Sequence, residues 1–318
     1  LKIVLAGGNG QVGVLLARHF SRIGNEVIVL SRSAALRSPW RVVQWDGRTL
    51  GPWALEFEGA DAVINLAGKT INCRYTAKNR SEIISSRVES TEVVGAAIQA
   101  AQVKPRVWIN ASAAGIYRHS TTEAFTEATT WLGGEGEPVP ETWRFGAEVV
   151  KIWENVFNAI EVPGVRKIAL RTTLAISPDK GGVFDVLLGL VRYGLGGTQG
   201  SGTQFVSWMH DKDYVRAVEF MIGDESISGP VNMGSPVPLP NSEFMAILRK
   251  AAGIKIGLPA PEFALKLGAP ILGTEAWLVL KSINVSPGVL ERAGFDFQYP
   301  EWDVAARNMV RRWNQINA

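Results

Sequence analysis

A single cysteine, Cys73, stands among 318 residues, so no disulfide can form within the chain. The fold must rest on its own core, as suits a reducing cytosol or an organelle matrix. Histidine is almost as scarce: His19, His119 and His210 lie far apart. None sits at metal-ligand spacing from a cysteine, a second histidine or a carboxylate, and no metal site is expected. Long apolar runs are missing too, since even VFDVLLGLVRYGLGG is broken by Asp185 and Arg192 and falls short of the roughly 20 residues of a membrane span. No basic block of five residues occurs, and 33 Lys and Arg face 30 Asp and Glu. That balance argues against nucleic acid or an anionic membrane as partner and leaves a small molecule. Internal repeats and low-complexity tracts are also lacking, and oligomeric state is left open. The chain opens at Leu1 and enters a strand pattern by Lys2, which leaves a removed targeting segment open.

What is present is alternation. Apolar runs rich in Val and Ile recur at 2–7, 26–30, 41–45, 62–68, 106–112 and 166–171, with helical patterns at 11–23, 76–101 and 142–160. Strands alternating with helices predict an α/β fold, a doubly wound and mainly parallel sheet covered on both faces. After residue 172 the rhythm changes to Gly- and Pro-rich segments around shorter helical patterns at 211–223, 241–252 and 301–314. The expected organisation is a nucleotide-binding domain over 1–172, with segments around 205–232 returning to it, and a smaller C-terminal lobe over 173–318.

The first strand runs into AGGNGQVG and then an amphipathic helix ending at Gly24. Gly7, Gly10 and Gly13 are spaced three apart. Such a turn needs glycine where dihedrals are unusual, where a pyrophosphate touches the backbone and where helix packs on strand. The helix N-terminus then faces the anion. The second strand ends in Ser31 and Arg32, with Arg37 slightly beyond. A carboxylate there would repel a 2′-phosphate; a hydroxyl with a guanidinium suits one, so NADP(H) is the expected cofactor. Asp46 reads either as a contact to the adenine amino group or as a cap.

GGNGQVG, the SR after the second strand and VINLAG together resemble the extended and atypical short-chain dehydrogenase/reductases. SSRVEST, ASAAGIY, KIWE, GGTQGSGTQFVSWMHDKD, GPVNMGSPVPLPNSEF and INVSPGVLERAGFDFQYP narrow this to the sugar-nucleotide epimerase-like family. Its bacterial members are labelled cell-division-inhibitor-like and its animal members epimerase family proteins. The resemblance covers nearly the whole chain and includes the family's C-terminal domain of unknown function, at about 255–305. It implies a Rossmann-type domain in which Gly7, Gly10, Gln11, Val12 and Gly13 hold the pyrophosphate. Ser31 and Arg32 would hold the adenosine end, with Leu66, Ala67 and Gly68 against the cofactor. Glu82 and Arg87 match positions expected near the nucleotide, or else form an ion network on a helix surface.

Typical members of the superfamily place a serine at the end of the fifth strand and a Tyr-x-x-x-Lys pair on the next helix, where lysine lowers the tyrosine pKa. Here none of the tyrosines at 75, 117, 193, 214 and 299 has a lysine four residues on. Anchoring TWRFGAEVVKIWENVF on Glu154 puts Gly146 and Val150 at the pair's positions. A shift of one recovers Lys151 but finds Ala147 for tyrosine. Counting back from Tyr117, the strand-end serine falls on Ala113, with Ser112 one position early and facing the other way. Ser112 is a cofactor contact or a strand-end hydroxyl. Tyr117, Gln204, Trp208 and His210 are the candidate substrate-facing residues; otherwise Tyr117 packs at the cleft rim and the strand puts Trp208 in the core, with Asp213 capping the next helix. Glu123 and Glu127 either supply a carboxylate to the cleft or stay solvated, as loop glutamates usually do. Catalytic residues stay unassigned. Two functions fit: an NADP(H)-dependent oxidoreductase or nucleotide-sugar epimerase with an unconventional proton donor, or a non-catalytic NADP(H) sensor or scaffold acting through a protein partner.

Overall fold

A computed structural model describes residues 1–33, 38–134, 136–271 and 273–317. The first half alternates as the apolar pattern requires: β1 Lys2–Ala6, α1 Gln11–Arg22, β2 Glu26–Ser31, β3 Arg41–Gln44, β4 Ala62–Asn65, α2 Ala77–Ala100, β5 Val107–Ala113, α3 Glu141–Ala159 and β6 Arg166–Thr172. Then come β7 Leu174–Ile176, α4 Val183–Arg192, β8 Phe205–Val206, β9 Trp208–His210, α5 Asp211–Gly223, β10 Gly229–Met233, β11 Leu239–Pro240 and α6 Asn241–Ala251. The C-terminal part holds α7 Glu262–Ile271, α8 Trp277–Leu280, α9 Gly288–Arg292 and α10 Trp302–Asn317.

Seven parallel strands form one sheet in the order β10-β6-β5-β4-β1-β2-β3. Successive side chains go to opposite faces, so Ile3 and Leu5 join Leu15, Leu16 and Phe20 of α1 and Met221 of α5. Val4 and Ala6 join Val94 and Ile98 of α2 and Phe157 of α3 on the other face. Each fully buried Leu, Ile or Phe side chain contributes about 1.5–3 kcal/mol. Helix α1 stops where it does because Gly24 takes φ +84° and lets Asn25 N–H reach the Phe20 carbonyl while its own N–H reaches Ser21.

The remaining strands form two small ladders, β7 with β9 and β8 with β11. Around them α4, α6 and α10 enclose a second core centred on Trp302, which lies 4.9 Å from the Trp208 ring and stacks at 4.1 Å on Phe244. Between the cores, residues 274–286 run back across the C-terminal edge of the sheet. They are fixed by Phe125 N–H to the Asn284 carbonyl and Ser207 Oγ to the Ile283 carbonyl. No described helix is long and apolar enough to cross a membrane.

Candidate cofactor cleft

Strands β1 and β4 are neighbours whose connections leave in opposite directions, which opens a crevice at their C-terminal ends. The glycine turn fills one side of it, and its three glycines do three different things. Gly7 has φ +71°, and a Cβ there would come within 2.8 Å of the Ala67 Cα. Gly13 packs so tightly that a Cβ would lie 2.5 Å from the Gly8 Cα. Gly10, the residue capping α1, is exposed and meets nothing within 4 Å. That open face, at the positive end of a helix with no acid in its first turn, has the space and the sign for a pyrophosphate. Val12 packs inward, while the Gln11 amide lies against Gly182 at the start of α4.

At the adenosine end Ser31 is buried, and its hydroxyl oxygen accepts from the Asn9 amide and from Ser33 N–H, leaving its own proton to donate. Arg32 is exposed just beyond the strand; Arg37 lies outside the described residues. Asp46 is used locally. It accepts from Thr49 Oγ1, Thr49 N and Arg48 N, and these bonds, the Thr49 hydroxyl foremost, hold its carboxyl down at about 2. Leu66 and Ala67 follow β4 half-buried, Leu66 N–H donating to the Ala6 carbonyl and Ala67 lying against Gly7, and Gly68 is exposed beside them.

Glu82 and Arg87 are separated. Glu82 pairs with Lys69 at 2.5 Å, whose hydrogen bond lowers its pKa, and stands 3.9 Å from Lys78, a surface network. Arg87 has no such carboxylate among the described residues. Its guanidinium is tucked under the loop after β4, donating to the Lys69 and Ile83 carbonyls and lying 4.9 Å from the Trp153 ring. Burial lowers its pKa to about 10.

The end of β5 is bound into a buried polar chain. Ser112 Oγ donates to Glu154 Oε1 at 2.5 Å, and Arg171 clamps the same carboxylate with Nε at 2.9 Å and Nη2 at 2.8 Å. Arg171 Nη1 also donates to the Tyr117 hydroxyl at 2.7 Å, which donates onward to Asn232 Oδ1 at 2.9 Å. Burial opposes the charge on Arg171, but Glu154 outweighs it and the pKa rises. Glu127, expected to be solvated, binds Asn232 N–H and Val289 N–H instead and ties β10 to α9. Glu123 is exposed.

The substrate-facing expectation needs correcting. Tyr117 is 1% exposed and its hydroxyl is committed on both sides, so it stands inside the wall. Trp208 belongs to the lobe core against Trp302. His210 stacks on Tyr299 at 3.7 Å, meets Asn308 through Nε2 and caps α5 by accepting from Lys212 N–H. Gln204 spends its amide on the Gln199 and Val279 carbonyls. Of the four, Trp208 serves the core of the lobe, Tyr117 packs with Phe125 and Val285 beside the sheet, and Gln204 and His210 are held by their buried hydrogen bonds.

What stands over the cleft comes from residues the motifs did not mark. On α3, Gly146 lies under the Trp277 indole, and a Cβ at Gly146 would come within 2.8 Å of it. The Trp277 N–H is buried and finds no acceptor among the described residues. The Tyr75 phenol, pushed up to about 12 by burial, is near enough to feel the indole but is not placed to accept from it. Glu275 accepts from Tyr75 N–H at 2.8 Å and pairs with Arg74 at 3.0 Å, joining the loop after β4 to this segment. Lys281 is buried and reaches the Gly115 carbonyl, just past β5, at 2.8 Å. No group of ligating side chains that could hold a metal ion occurs among the described residues.

Sheet order, glycine turn and crevice define a nucleotide-binding α/β protein of the short-chain dehydrogenase/reductase type. Residues 3–234 match the NAD dependent epimerase/dehydratase family, to which the chain belongs, and residues 260–309 match a domain of unknown function, DUF1731. The epimerase family protein YfhF of Bacillus subtilis is 30% identical over 312 residues, 98% of each chain. A crystal structure of human epimerase family protein SDR39U1 (isoform 2) with NADPH superposes with a TM-score of 0.84 at 25% identity, covering 98% of this chain and 99% of that one. The nucleoside-diphosphate sugar epimerase of Corynebacterium glutamicum gives 0.74 at 26% identity, covering 99% of this chain and 61% of its own.

Proposed function

We propose that the protein is an NADP(H)-dependent oxidoreductase or nucleotide-sugar epimerase that moves its proton without a Tyr-x-x-x-Lys pair. The observation that carries this is the open face of Gly10 at the N-terminus of α1, set in the crevice between β1 and β4. The phosphate preference is supported by Ser31 and Arg32 following β2 where a carboxylate would select NAD, and by the NADPH bound to the human relative. When bound, the nicotinamide supplies or accepts hydride. The chain's part is to hold the pyrophosphate on the amides around Gly10, receive the adenosine phosphate at Ser31 and Arg32, and exclude water beneath the Trp277 segment. Arg87, without a carboxylate partner among the described residues and held by the Lys69 and Ile83 carbonyls, would be a second cation for the nucleotide.

Loss of NADPH absorbance with a panel of sugar nucleotides, aldehydes and quinones tests this. Turnover of one class supports it; cofactor binding with failure across the whole panel counts heavily against it. A second reading, a non-catalytic sensor or scaffold, is favoured by two observations: the Ser112 proton is spent on Glu154, and Trp277 covers Gly146. Cofactor-dependent capture of a protein partner would favour it.

A further inference from the structure

Lys281 is 5% exposed, and among the described residues its ammonium has one hydrogen-bond acceptor, the Gly115 carbonyl. A lysine head carries three donors, and a buried cation with unmet N–H groups is costly unless something else accepts from them. Its position suggests what that is. Gly115 lies two residues past the end of β5, on the rim where an open α/β sheet holds its ligand. One helical turn before Lys281, Trp277 lies on Gly146 with its indole N–H buried and without an acceptor among the described residues. One short segment beside the end of β5 and the start of α3 thus carries two buried donor groups whose N–H bonds are not all met among the described residues.

We propose that Lys281 is the acid–base residue of this cleft, giving a proton to the oxygen of a substrate carbonyl and taking it back from the alcohol, a role that rests on the NADP(H) reading above. In the reducing direction, hydride from the reduced cofactor forms the new C–H bond at the carbonyl carbon. The C=O π pair becomes an O–H bond with the proton from Nζ, leaving an alcohol, oxidised cofactor and neutral lysine. The oxidising direction reverses each transfer. Burial brings the amine down to about 8, where both protonation states are within reach near neutral pH. The charged and titratable neighbours are consistent with that. Glu137 favours the ammonium; His119, whose Nδ1 accepts from Ser282 N–H, has its pKa lowered by burial and adds no full charge at neutral pH. Glu275 is engaged with Arg74 and Tyr75 N–H.

The test is amine labelling with acetic anhydride across a pH series, read at Lys281 by peptide mass spectrometry, with exposed Lys104 as internal reference. It is run on protein saturated with NADPH and on protein saturated with NADP+, binding of each being checked by calorimetry. The oxidised nicotinamide ring carries a positive charge and the reduced ring does not. A unit charge about 6 Å away in a dielectric of roughly 20 to 80 lowers the Lys281 midpoint by roughly 0.5 to 2 pH units in the NADP+ form. That difference is the expected result. The same midpoint in both forms, or a Lys281 closed to the reagent in both, overturns the assignment while leaving cofactor binding intact. Failure to bind either nucleotide overturns the underlying reading and this role with it.

Discussion

Gly146→Ala, made in the native chain and again beside Trp277→Ala, should change sign between the two backgrounds. The added methyl group would sit 2.8 Å from one indole carbon and 3.1 Å from another, so the buried ring or the helix must give by several tenths of an ångström. Overpacking of that kind costs roughly 1–3 kcal/mol. Against it, alanine is favoured over glycine inside a helix by about 1 kcal/mol. The native background should therefore lose up to about 2 kcal/mol. With Trp277 removed the methyl has room, and the propensity term is left alone as a gain of up to about 1 kcal/mol. The coupling between the two sites is then about 1–3 kcal/mol. For a chain of this length each kcal/mol moves Tm by roughly 1.5 °C, so urea unfolding is the better assay. Equal effects of Gly146→Ala in both backgrounds would refute the placement of Trp277 on this helix.

Further outcomes follow from the geometry. Glu154→Gln leaves the Arg171 guanidinium buried without its counter-charge and should cost about 3–5 kcal/mol in urea unfolding, whereas Glu154→Leu with Arg171→Met recovers most of it. Burial pushes the Asp211 carboxyl up, but the Arg312 guanidinium, donating at 2.7 Å to each oxygen, outweighs this and brings it to about 2. Its folded pKa lies below the unfolded value, so its contribution, roughly 2–3 kcal/mol, is complete above about pH 4 and lost as pH falls through 2. Acid unfolding of Asp211→Asn should lack that increment. Gly10→Ala, at an extended backbone facing open space, should leave Tm within about 2 °C yet weaken NADPH binding roughly tenfold by calorimetry. Gly13→Ala should instead lower Tm, because its methyl meets the Gly8 backbone.

The sheet was legible because its evidence is local. Apolar runs and helical periodicity place β1 to β6 and α1 to α3 within a residue or two, except that the run at 62–68 outlasts β4 by three residues, and the glycine spacing marks the turn. Strand parity also separated Ser112 from Ala113. The cleft's upper wall was not legible, because it is assembled from distant segments without a motif. Nothing near Gly146 says that Trp277 will cover it, and nothing near Lys281 says that it will meet Gly115. The alternation of QFVSWMH reads the same whether its inner face meets a ligand or a second core. Phe244 and Trp302 decide the matter, and both lie far along the chain. Tyr117 was misread for a related reason: its partners Arg171 and Asn232 come from two later strands.

The central claim, that the crevice beside Gly10 takes NADP(H), is tested most directly by titrating the unmodified protein with NADPH and with NADH in a calorimeter, alongside Arg32→Ala. NADPH should bind more tightly by about tenfold or more, with the gap narrowing in Arg32→Ala. Equal affinities for the two nucleotides, or binding of neither, would contradict it.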